Sequence, residues 1–580
     1  MDVHCRMIRA YSPLSISLPV SPQGQSGSFW KWLFVQLSLA ATLFFFTQTA
    51  SAQQDGQWQQ TNHESVRADL NASNQILDQG MQLENEAKWG EALGLYQQAL
   101  RETPGNQQIR QRRTIARIHF DLERRYNDRS FIKSVSESSN AKTLEVYSEI
   151  LLKIQSYYVD TPDWTEIVNY GLASLEIALN TKDFVDRNIP GTDQSQIDRA
   201  TQALRSSLAN VKVNSRRDAY NVAATTGRLM NEHLRLSGQA TNYEFICGAI
   251  SSLDPYSAFM SSNQYGETMA QIEGNFVGLG VELRTNAEYL EIVSVIEQGP
   301  AGQAGIKAGD LITAVDNQDV INLGSERAAD MLRGVENSFV GLNIRRTGVG
   351  EKEVRLQRRR VDIPSVTGVE IVDAEAGIGY IRLTNFQKTT SRDFDEALWK
   401  LHKQNMKSLI VDVRGNPGGL LSASVDIADR FVGAGIIVST RGRNPLEDYT
   451  HRAQVGGTWR VPLTVLVDEN SASASEIFAA AIRDHKRGTI VGAQSYGKGS
   501  VQGIFPLNSS GGGIRLTTAK FYSPEGVAIS QNGVKPDVAL QVSAKPSAAE
   551  QATDDSDHGL ELGIKVAIRA AENRETVAGR

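Results

Sequence analysis

The sequence lacks any sustained run of lysine or arginine. Its 60 basic and 66 acidic residues give a formal net charge of −6. This charge balance does not indicate the basic surface that nucleic-acid binding requires. A composition of 40% hydrophobic and 22% charged residues is typical of globular proteins rather than disordered ones. At 580 residues the chain is too long for one core, and about 100–200 residues per domain suggests three or four domains.

Long apolar runs are also missing, apart from one near the N-terminus. The apolar stretch Trp32 to Phe46 follows several basic residues and precedes Ala50-Ser51-Ala52. This pattern of a basic flank, a short apolar segment and a small-x-small cleavage motif predicts a secretory signal peptide over residues 1–52. A signal peptide implies export to the periplasm or cell envelope. The alternative is an uncleaved segment that tethers the protein to the membrane, although a spanning helix needs about 20 apolar residues.

Cysteine is scarce. One of the two cysteines, Cys5, lies in the segment predicted to be removed, which leaves Cys247 without a partner for an internal disulfide. The mature fold must therefore rest on its hydrophobic cores, even in an oxidising compartment. The apolar context Phe245-Ile246-Cys247 favours packing over a nucleophilic role for this thiol.

Helical patterns fill the chain before residue 265. Within residues 53–133, the stretch Gly80 to Pro104 is similar to one tetratricopeptide repeat, on which an adaptor protein would dock. No second copy follows at the expected period of about 34 residues, so a plain helical hairpin is an equally good interpretation. The polar stretch 134–140 predicts a linker, and residues 141–265 predict a further helical region.

The pattern changes twice in the second half of the chain. Residues 270–350 predict short strands separated by glycine turns, in an order of motifs that resembles a PDZ domain. Over residues 362–541 strands alternate with helices, which predicts a mostly parallel sheet covered by helices. Residues 543–580 predict a flexible tail with a short amphipathic helix near Leu560 to Ile568.

Ser473 follows a buried type of strand and begins a helix. Glu476, three residues later, completes the pattern of a capping box, so one interpretation is a serine that only caps the helix. A nucleophilic serine needs a base, and Lys498 can act as one only if its pKa falls from about 10.4 towards 7. That change corresponds to about 4.6 kcal/mol and requires the amine to be removed from water.

The surroundings of Lys498 fit a desolvated base. If residues 498–502 are extended, Lys498, Ser500 and Gln502 point to the same face, so the Gln502 amide oxygen can accept a hydrogen bond from the amine and orient it. The spacing Gly492-x4-Gly497-Lys498 also matches most of a nucleotide-binding P-loop. However, Gly499 replaces the Ser or Thr that would hold magnesium, and the following residues predict a strand instead of a helix.

Acyl transfer also needs hydrogen-bond donors for the developing oxyanion. The N–H of Ala474, next to the serine at a helix N-terminus, is one candidate. The turn Gly415 to Gly419 between a strand and a helix can supply the second, and we favour the Gly418 N–H because glycine permits close approach of the backbone.

Together these segments resemble the carboxyl-terminal processing peptidases, also called tail-specific proteases. The likeness covers roughly residues 245–541 and rests on an ordered set of motifs. They are Leu253-Asp254-Pro255-Tyr256-Ser257, the PDZ motifs, Asp412 to Gly419, Ser471 to Glu476, Gly497-Lys498-Gly499 and Gly533-Val534-Lys535-Pro536-Asp537. The resemblance implies that Ser473 is the nucleophile, Lys498 the general base and Gln502 its orienting partner.

The resemblance carries further expectations. It implies a crotonase-like (ClpP/crotonase-type) α/β protease core that needs no metal, nucleotide or other cofactor. In the PDZ domain, Gly278-Leu279-Gly280-Val281 matches the loop that captures a peptide C-terminus through backbone N–H groups. Arg333 matches a position linked in some relatives to coupling with the catalytic site. Asp484 matches another implicated position, although a surface charge is an alternative interpretation.

The sequence thus predicts a multidomain protein with a helical N-terminal region, a β-rich PDZ domain and an α/β serine protease core. We expect an exported serine endopeptidase that recognises proteins with exposed apolar C-termini and cleaves near them. A non-catalytic PDZ and helical-repeat scaffold of the envelope is the alternative. A Ser–His–Asp enzyme is a third interpretation, but the neighbours of His485 indicate a solvated side chain.

Overall fold

Apolar residues that recur at three- and four-residue steps form helices along the first half of the chain. The computed structural model describes residues 73–286, 288–454, 456–530, 532–540 and 557–578. It contains two units, one made of residues up to 152 with 162–259 and the other of residues 153–161 with those from 260 onwards. The predicted signal peptide over residues 1–52 lies outside the described residues.

Helices account for most of the chain before residue 259. Their bounds are 73–85, Trp89–Glu102, Gln107–Asn127, Arg129–Glu137, Asn140–Tyr157, Trp164–Leu179, Lys182–Asn188, Gln194–Leu208, Arg216–Leu234 and Gly238–Ser251. The first two form the predicted hairpin, in which the Tyr96 ring lies where a side chain on Gly80 would be. The Tyr96 hydroxyl donates to Glu84 at 2.7 Å.

The predicted linker at 134–140 is wrong. A helix continues to Glu137 and the next begins at Asn140. Asp128 caps the first of these helices by accepting the N–H of Ser130 at 2.8 Å. The hydroxyl of Ser134 donates to the Ser130 carbonyl at 2.8 Å, so a serine-rich segment satisfies its polar groups within the helix.

A six-stranded antiparallel sheet forms where the PDZ domain was predicted. Its strands are Val281–Thr285, Leu290–Val295, Leu311–Val315, Gln318–Asp319, Phe339–Arg346 and Gly350–Gln357. Alternate residues pack inward onto the helix Ser325–Leu332 and two shorter ones, Pro300–Gln303 and Val320–Leu323. A separate pair joins Asn275–Gly278 to Arg359–Asp362, and the helix Ser262–Glu273 precedes it.

The last large domain is built on a mostly parallel sheet, as predicted. Its strands in spatial order are Val366–Asp373, Ile378–Leu383, Ser408–Asp412, Leu463–Val467, Thr489–Gly492 and Val538–Ala539. Only the first pair is antiparallel. Val411 pairs with Ile381 on one side and Val465 on the other, and all three are buried, as expected for a parallel sheet covered on both faces.

Helices and a second sheet cover the parallel sheet. The helices are Thr390–Lys403, Leu421–Asp429, Ala474–Asp484 and His558–Ala578. The second sheet is antiparallel and includes Ser500–Pro506, Gly513–Tyr522, Ile436–Gly442 and Tyr449–Arg452 in that spatial order. The carboxyl end of the strand Leu463–Val467 lies near the start of the helix that Ser473 begins, because only residues 468–472 separate them.

The C-terminal helix is longer than the predicted Leu560 to Ile568, because it runs from His558 to Ala578. Its apolar side packs on residues of the parallel sheet such as Leu466 and Val491. Asp557 caps it by accepting the Leu560 N–H at 2.9 Å. The rest of the predicted tail, over residues 543–556, lies outside the described residues.

Within the described ranges, no helix has the length and apolar composition that crossing a membrane requires. The same residues contain no group of three His, Cys, Asp or Glu side chains arranged to hold a metal ion.

Candidate active site

Ser473 lies at the N-terminal end of the helix Ala474–Asp484 in a conformation that is rare for residues other than glycine, with φ at +58°. The two neighbouring serines are fully buried. The Ser471 hydroxyl donates to the Val413 carbonyl at 2.8 Å, and the Ser475 hydroxyl donates to the Asn416 carbonyl at 2.9 Å. Ser473 is half-buried and lines a groove, so it alone of the three can meet a substrate.

The groove beside Ser473 has a volume of about 450 Å³ and contains Lys498 and Gln502 as well. The remaining walls are mixed, with polar side chains such as Gln271, Asn385 and Arg515 beside apolar ones. The apolar ones include Ile272, Phe386, Leu420, Leu421, Ile477, Val501, Ile504 and Phe521. A groove of this kind can bind a peptide with apolar side chains beside the half-buried Lys498.

The strand after Lys498 differs from the predicted one in detail. It begins at Ser500, and its register shifts between Val501 and Gln502. Such a bulge breaks strict alternation, so strand periodicity does not explain why Lys498, Ser500 and Gln502 share the groove. The Gln502 amide donates to Ser500 Oγ at 2.9 Å. Its predicted bond to the Lys498 amine stays a prediction. A strand here, as predicted, excludes the helix that a P-loop requires.

Glu476 does more than cap the helix. One carboxylate oxygen accepts the Ser473 N–H at 2.7 Å and the Lys498 N–H at 2.9 Å. The other accepts the Gly497 N–H and the Ser495 hydroxyl, each at 2.6 Å. Burial raises the pKa of this carboxyl, and the four hydrogen bonds oppose that rise. The capping-box pattern identified Glu476, but its bonds to the lysine segment were missed.

The predicted oxyanion donors differ in availability. Ala474 has its N–H at the first turn of the helix, where no backbone acceptor exists. The Gly418 N–H, predicted as the second donor, instead donates to Asn416 Oδ1 at 2.9 Å, so in this conformation it is already occupied. Gly419 is the next residue and lines the groove. Among the described residues, none accepts a hydrogen bond from its N–H.

Asn416 is a positioning residue that the sequence did not reveal. It is fully buried, and its side-chain amide donates to the Leu383 carbonyl at 2.9 Å. Its carbonyl accepts the Ala472 N–H at 3.0 Å. A β-carbon on Gly418 would lie 2.8 Å from the Ser473 β-carbon, so the turn and the serine fit together only because residue 418 is glycine.

A buried ion pair lies beside this turn. Asp412 is fully buried at the end of its strand and accepts hydrogen bonds from Arg414 Nη2 at 2.6 Å and the Tyr380 hydroxyl at 2.8 Å. Burial raises the pKa of Tyr380 to about 12. Arg414 also donates to Asp557 Oδ1 at 2.6 Å and Oδ2 at 2.8 Å. The segment that leads into the Gly418 turn is thereby tied to the C-terminal helix.

Other candidate groups lie away from the groove. His485 follows the 11-residue helix that Ser473 begins, about 16 Å along its axis. It is half-buried, not solvated, and bonds to the Ile436 carbonyl at 2.7 Å. Asp484 is not a surface charge either, since its side chain is 2% exposed and pairs with Arg483 at 2.9 Å. Cys247 is buried, as predicted, and burial raises the pKa of its thiol to about 12.

The predicted carboxylate loop lies at the edge of the PDZ sheet. Gly280 has φ at +79°, and Leu279 is buried, with its carbonyl accepting the Ala301 N–H at 2.9 Å. Val281 begins the strand that ends the sheet order, so this strand pairs on one side only among the described strands. An extended peptide can add to such an edge.

The helix beside this edge strand ends at Leu332, and Arg333 follows it as an exposed residue. Its coupling role stays a prediction. Sequence reasoning missed Arg358, which is 6% exposed. Its guanidinium donates to the carbonyls of Met331 at 2.7 Å, Leu332 at 3.0 Å and Phe339 at 2.8 Å. A buried cation thus caps the C-terminal end of the helix.

Comparison with known proteins identifies two domains in the second half of the chain. The model of peptidase family S41 matches residues 377–540, and that of the PDZ domain matches residues 268–345. A carboxy-terminal-processing protease of Bartonella bacilliformis is 38% identical over 302 residues, which cover 51% of this chain and 68% of that protein. A carboxyl-terminal-processing protease of Synechocystis is 34% identical over 53% of this chain and 72% of its own length.

One further relative matches over a smaller share of its length, and one solved structure over a larger share. A probable serine protease of Staphylococcus epidermidis is 32% identical, and the chain spans 58% of its length. The solved structure of a photosystem II D1 C-terminal processing protease is 27% identical, over 66% of this chain and 95% of that one, with a TM-score of 0.34. From the sequence matches, the chain belongs to the carboxy-terminal-processing proteases of peptidase family S41 and is a serine-type peptidase with a PDZ domain.

Proposed function

We propose that this protein is an exported endopeptidase that captures protein C-termini on its PDZ domain and cleaves near them with a Ser473–Lys498 dyad. The main support is that Ser473 shares one groove with Lys498, whereas the hydroxyls of Ser471 and Ser475 donate to backbone carbonyls.

The proposed reaction uses groups of the groove. Ser473 Oγ attacks the scissile carbonyl while the neutral Lys498 amine takes its proton. The Ala474 N–H and an N–H of the Gly418-Gly419 turn bind the oxyanion. Of these two glycines, Gly419 has its N–H available, whereas Gly418 must first release Asn416. The departing amine takes the proton from Lys498, and water then hydrolyses the acyl-enzyme ester.

The PDZ edge strand would supply selection. The substrate's last residues would pair with Val281–Thr285, and the backbone of Gly278 to Gly280 would hold the terminal carboxylate. Apolar side chains near this edge, such as Leu283, Ala328 and Leu332, favour proteins with apolar C-termini. Export rests on the N-terminal sequence pattern, and docking of an adaptor protein on the helical hairpin rests on its likeness to one tetratricopeptide repeat.

The dyad is tested with a chain that lacks residues 1–52 and an unstructured protein substrate with an apolar C-terminus. Ser473→Ala and Lys498→Ala should each lower kcat by at least 10³-fold, since the acyl-enzyme cannot form without nucleophile or base. Ser136→Ala and Lys403→Ala, at exposed positions, are the matched controls and should keep full activity. Undiminished cleavage by either dyad variant would refute the mechanism, and an inactive parent chain would favour the scaffold alternative.

Capture of C-termini is tested separately with the inactive Ser473→Ala chain. A peptide with a free apolar C-terminus should bind at least tenfold more tightly than the same peptide amidated at its C-terminus, because the amide removes the charge that the loop binds. Equal affinity for the two peptides would disprove carboxylate capture. Cell fractionation, with the N-terminal sequence of the recovered protein, tests export and cleavage after Ala52.

A further inference from the structure

A basic recess lies in the helical unit, and neither the catalytic chemistry nor the PDZ domain accounts for it. Arg110, Arg113 and Arg117 are spaced three and four residues apart on the helix Gln107–Asn127, so they share one face of that helix. They line a recess of about 260 Å³ together with Glu166 and Tyr170. The turn after the helix Gly238–Ser251 closes its far side.

Two of the arginines are held in place by neighbouring backbone. Arg117 donates to the carbonyl of Asp254 at 2.9 Å and to that of Ser257 at 3.3 Å. Arg110 donates to the Pro104 carbonyl at 2.5 Å. Because each guanidinium carries five N–H donors, these bonds fix the side chains and leave donors over for a ligand.

Arg113, between them, has no such partner. It is half-buried, and none of the residues that the structure describes accepts a hydrogen bond from its guanidinium. Burial lowers the pKa of Arg113, and the positive charges of Arg117 and Arg110 act in the same direction. Partial burial of a cation without a hydrogen-bond acceptor raises the free energy of the folded state. The recess therefore lacks the negative charge that would stabilise Arg113.

Acidic side chains do not neutralise the three arginines of the recess. Glu166 lines the recess, but burial and the neighbouring Asp163 raise the pKa of its carboxyl, with no arginine among the causes. Asp121 lies 3.5 Å from Arg117 and is not among the lining residues. Asp254 also lines the recess, and its carboxylate accepts hydrogen bonds from Tyr256 and Ser257 rather than from an arginine. Three guanidinium groups against two carboxylates leave a surplus of one positive charge.

We propose that this recess binds a phosphoryl group. A phosphoryl group carries the negative charge that this surplus requires, and its oxygens can accept the paired N–H donors of guanidinium groups. The recess is several times the roughly 30 Å³ that a water molecule occupies in the liquid, so there is room for phosphate and part of an attached organic group. The source is a small soluble phosphate or a phospholipid headgroup.

The soluble source is tested on the chain without residues 1–52, carrying Ser473→Ala to prevent self-cleavage. Calorimetry and thermal unfolding are measured with inorganic phosphate and with glycerol 3-phosphate, against chloride at equal ionic strength. We expect saturable binding that Arg113→Gln weakens at least tenfold. Arg228→Gln, which removes an exposed arginine paired with Glu232, is the matched control and should leave binding unchanged.

The lipid source is tested by co-sedimentation with phosphatidylcholine vesicles with and without phosphatidic acid. Binding that needs phosphatidic acid and is lost in Arg113→Gln assigns the site to a headgroup, and binding of glycerol 3-phosphate alone assigns it to a soluble ligand. If Arg113→Gln misfolds by circular dichroism, Arg110→Gln takes its place. The proposal is overturned if no probe binds, or if these variants bind as the parent does. Neither of these two results would change the outcome expected in the protease assay of Ser473 and Lys498.

Discussion

The carboxylate of Glu476 accepts the backbone N–H of Lys498 at 2.9 Å. The same oxygen accepts the N–H of Ser473 at 2.7 Å. One buried side chain therefore sets the distance between the two segments that carry the proposed nucleophile and base, without touching the reacting atoms of either.

Replacing Glu476 with glutamine should lower both stability and activity. An amide NH₂ group would then face backbone N–H donors, and each buried donor left without an acceptor costs about 1–3 kcal/mol. We expect a fall in kcat of at least tenfold, with KM changed less, because the dyad geometry is altered while the groove remains. Steady-state kinetics with denaturant unfolding would measure this. Glu469→Gln, at an exposed position nearby, should behave like the parent, and full activity in Glu476→Gln would contradict the positioning role.

The C-terminal helix should depend on the ion pair between Arg414 and Asp557. Asp557→Asn removes a charge that both guanidinium nitrogens contact, so hydrogen exchange in residues 558–572 should speed up. The effect should be modest, about 1 kcal/mol or less, since the pair is partly exposed. Glu561→Gln, on the same helix, is the control.

This contribution should depend on pH in a defined direction. Arg414 lowers the pKa of Asp557 to about 2, below the ordinary value of about 3.9. A carboxyl with a lowered pKa stabilises the folded state above its unfolded pKa, and that stability is lost as the pH falls towards 2. The difference in exchange between the parent and Asp557→Asn should therefore be constant above about pH 5 and shrink below pH 4. A difference that grows in acid would show that another group is responsible.

Arg358→Met should destabilise the PDZ domain selectively. It leaves the carbonyls at the end of the helix Ser325–Leu332 without their charged donor, at a cost of about 1.5–3 kcal/mol. C-terminal peptides should bind more weakly, while cleavage of short peptides that do not reach the PDZ domain should persist. Arg345→Met, at an exposed position of the same domain, is the control. Equal loss of both activities would contradict a PDZ-specific effect.

Local patterns predicted the architecture well. Fully buried strands such as Ser408–Asp412 follow from runs of β-branched residues and leucine. Ser473 and Glu476 could be recognised because a capping box is encoded within four residues. Motif order then favoured a nucleophile over a simple cap, a choice that local spacing could not make.

What the sequence did not reveal depends on contacts between distant segments. Arg414 and Asp557 are 143 residues apart, and nothing near either residue indicates the other. The bulge at Val501 and Gln502 depends on the partner strand rather than on the side-chain pattern. The occupied N–H of Gly418 likewise reflects the orientation of the Asn416 side chain, which only the folded turn defines.

The backbone of Ser473 has a thermodynamic consequence. A residue with a side chain at φ +58° destabilises the folded state by about 1–3 kcal/mol. Glycine avoids this strain, although its more flexible unfolded chain costs about 0.5–1 kcal/mol in entropy. Ser473→Gly should therefore be inactive yet unfold at a temperature a few degrees above that of Ser473→Ala in scanning calorimetry, and a lower midpoint would mean that no strain is stored there. If so, the backbone conformation that positions the Ser473 hydroxyl lowers the thermal stability of the protease core.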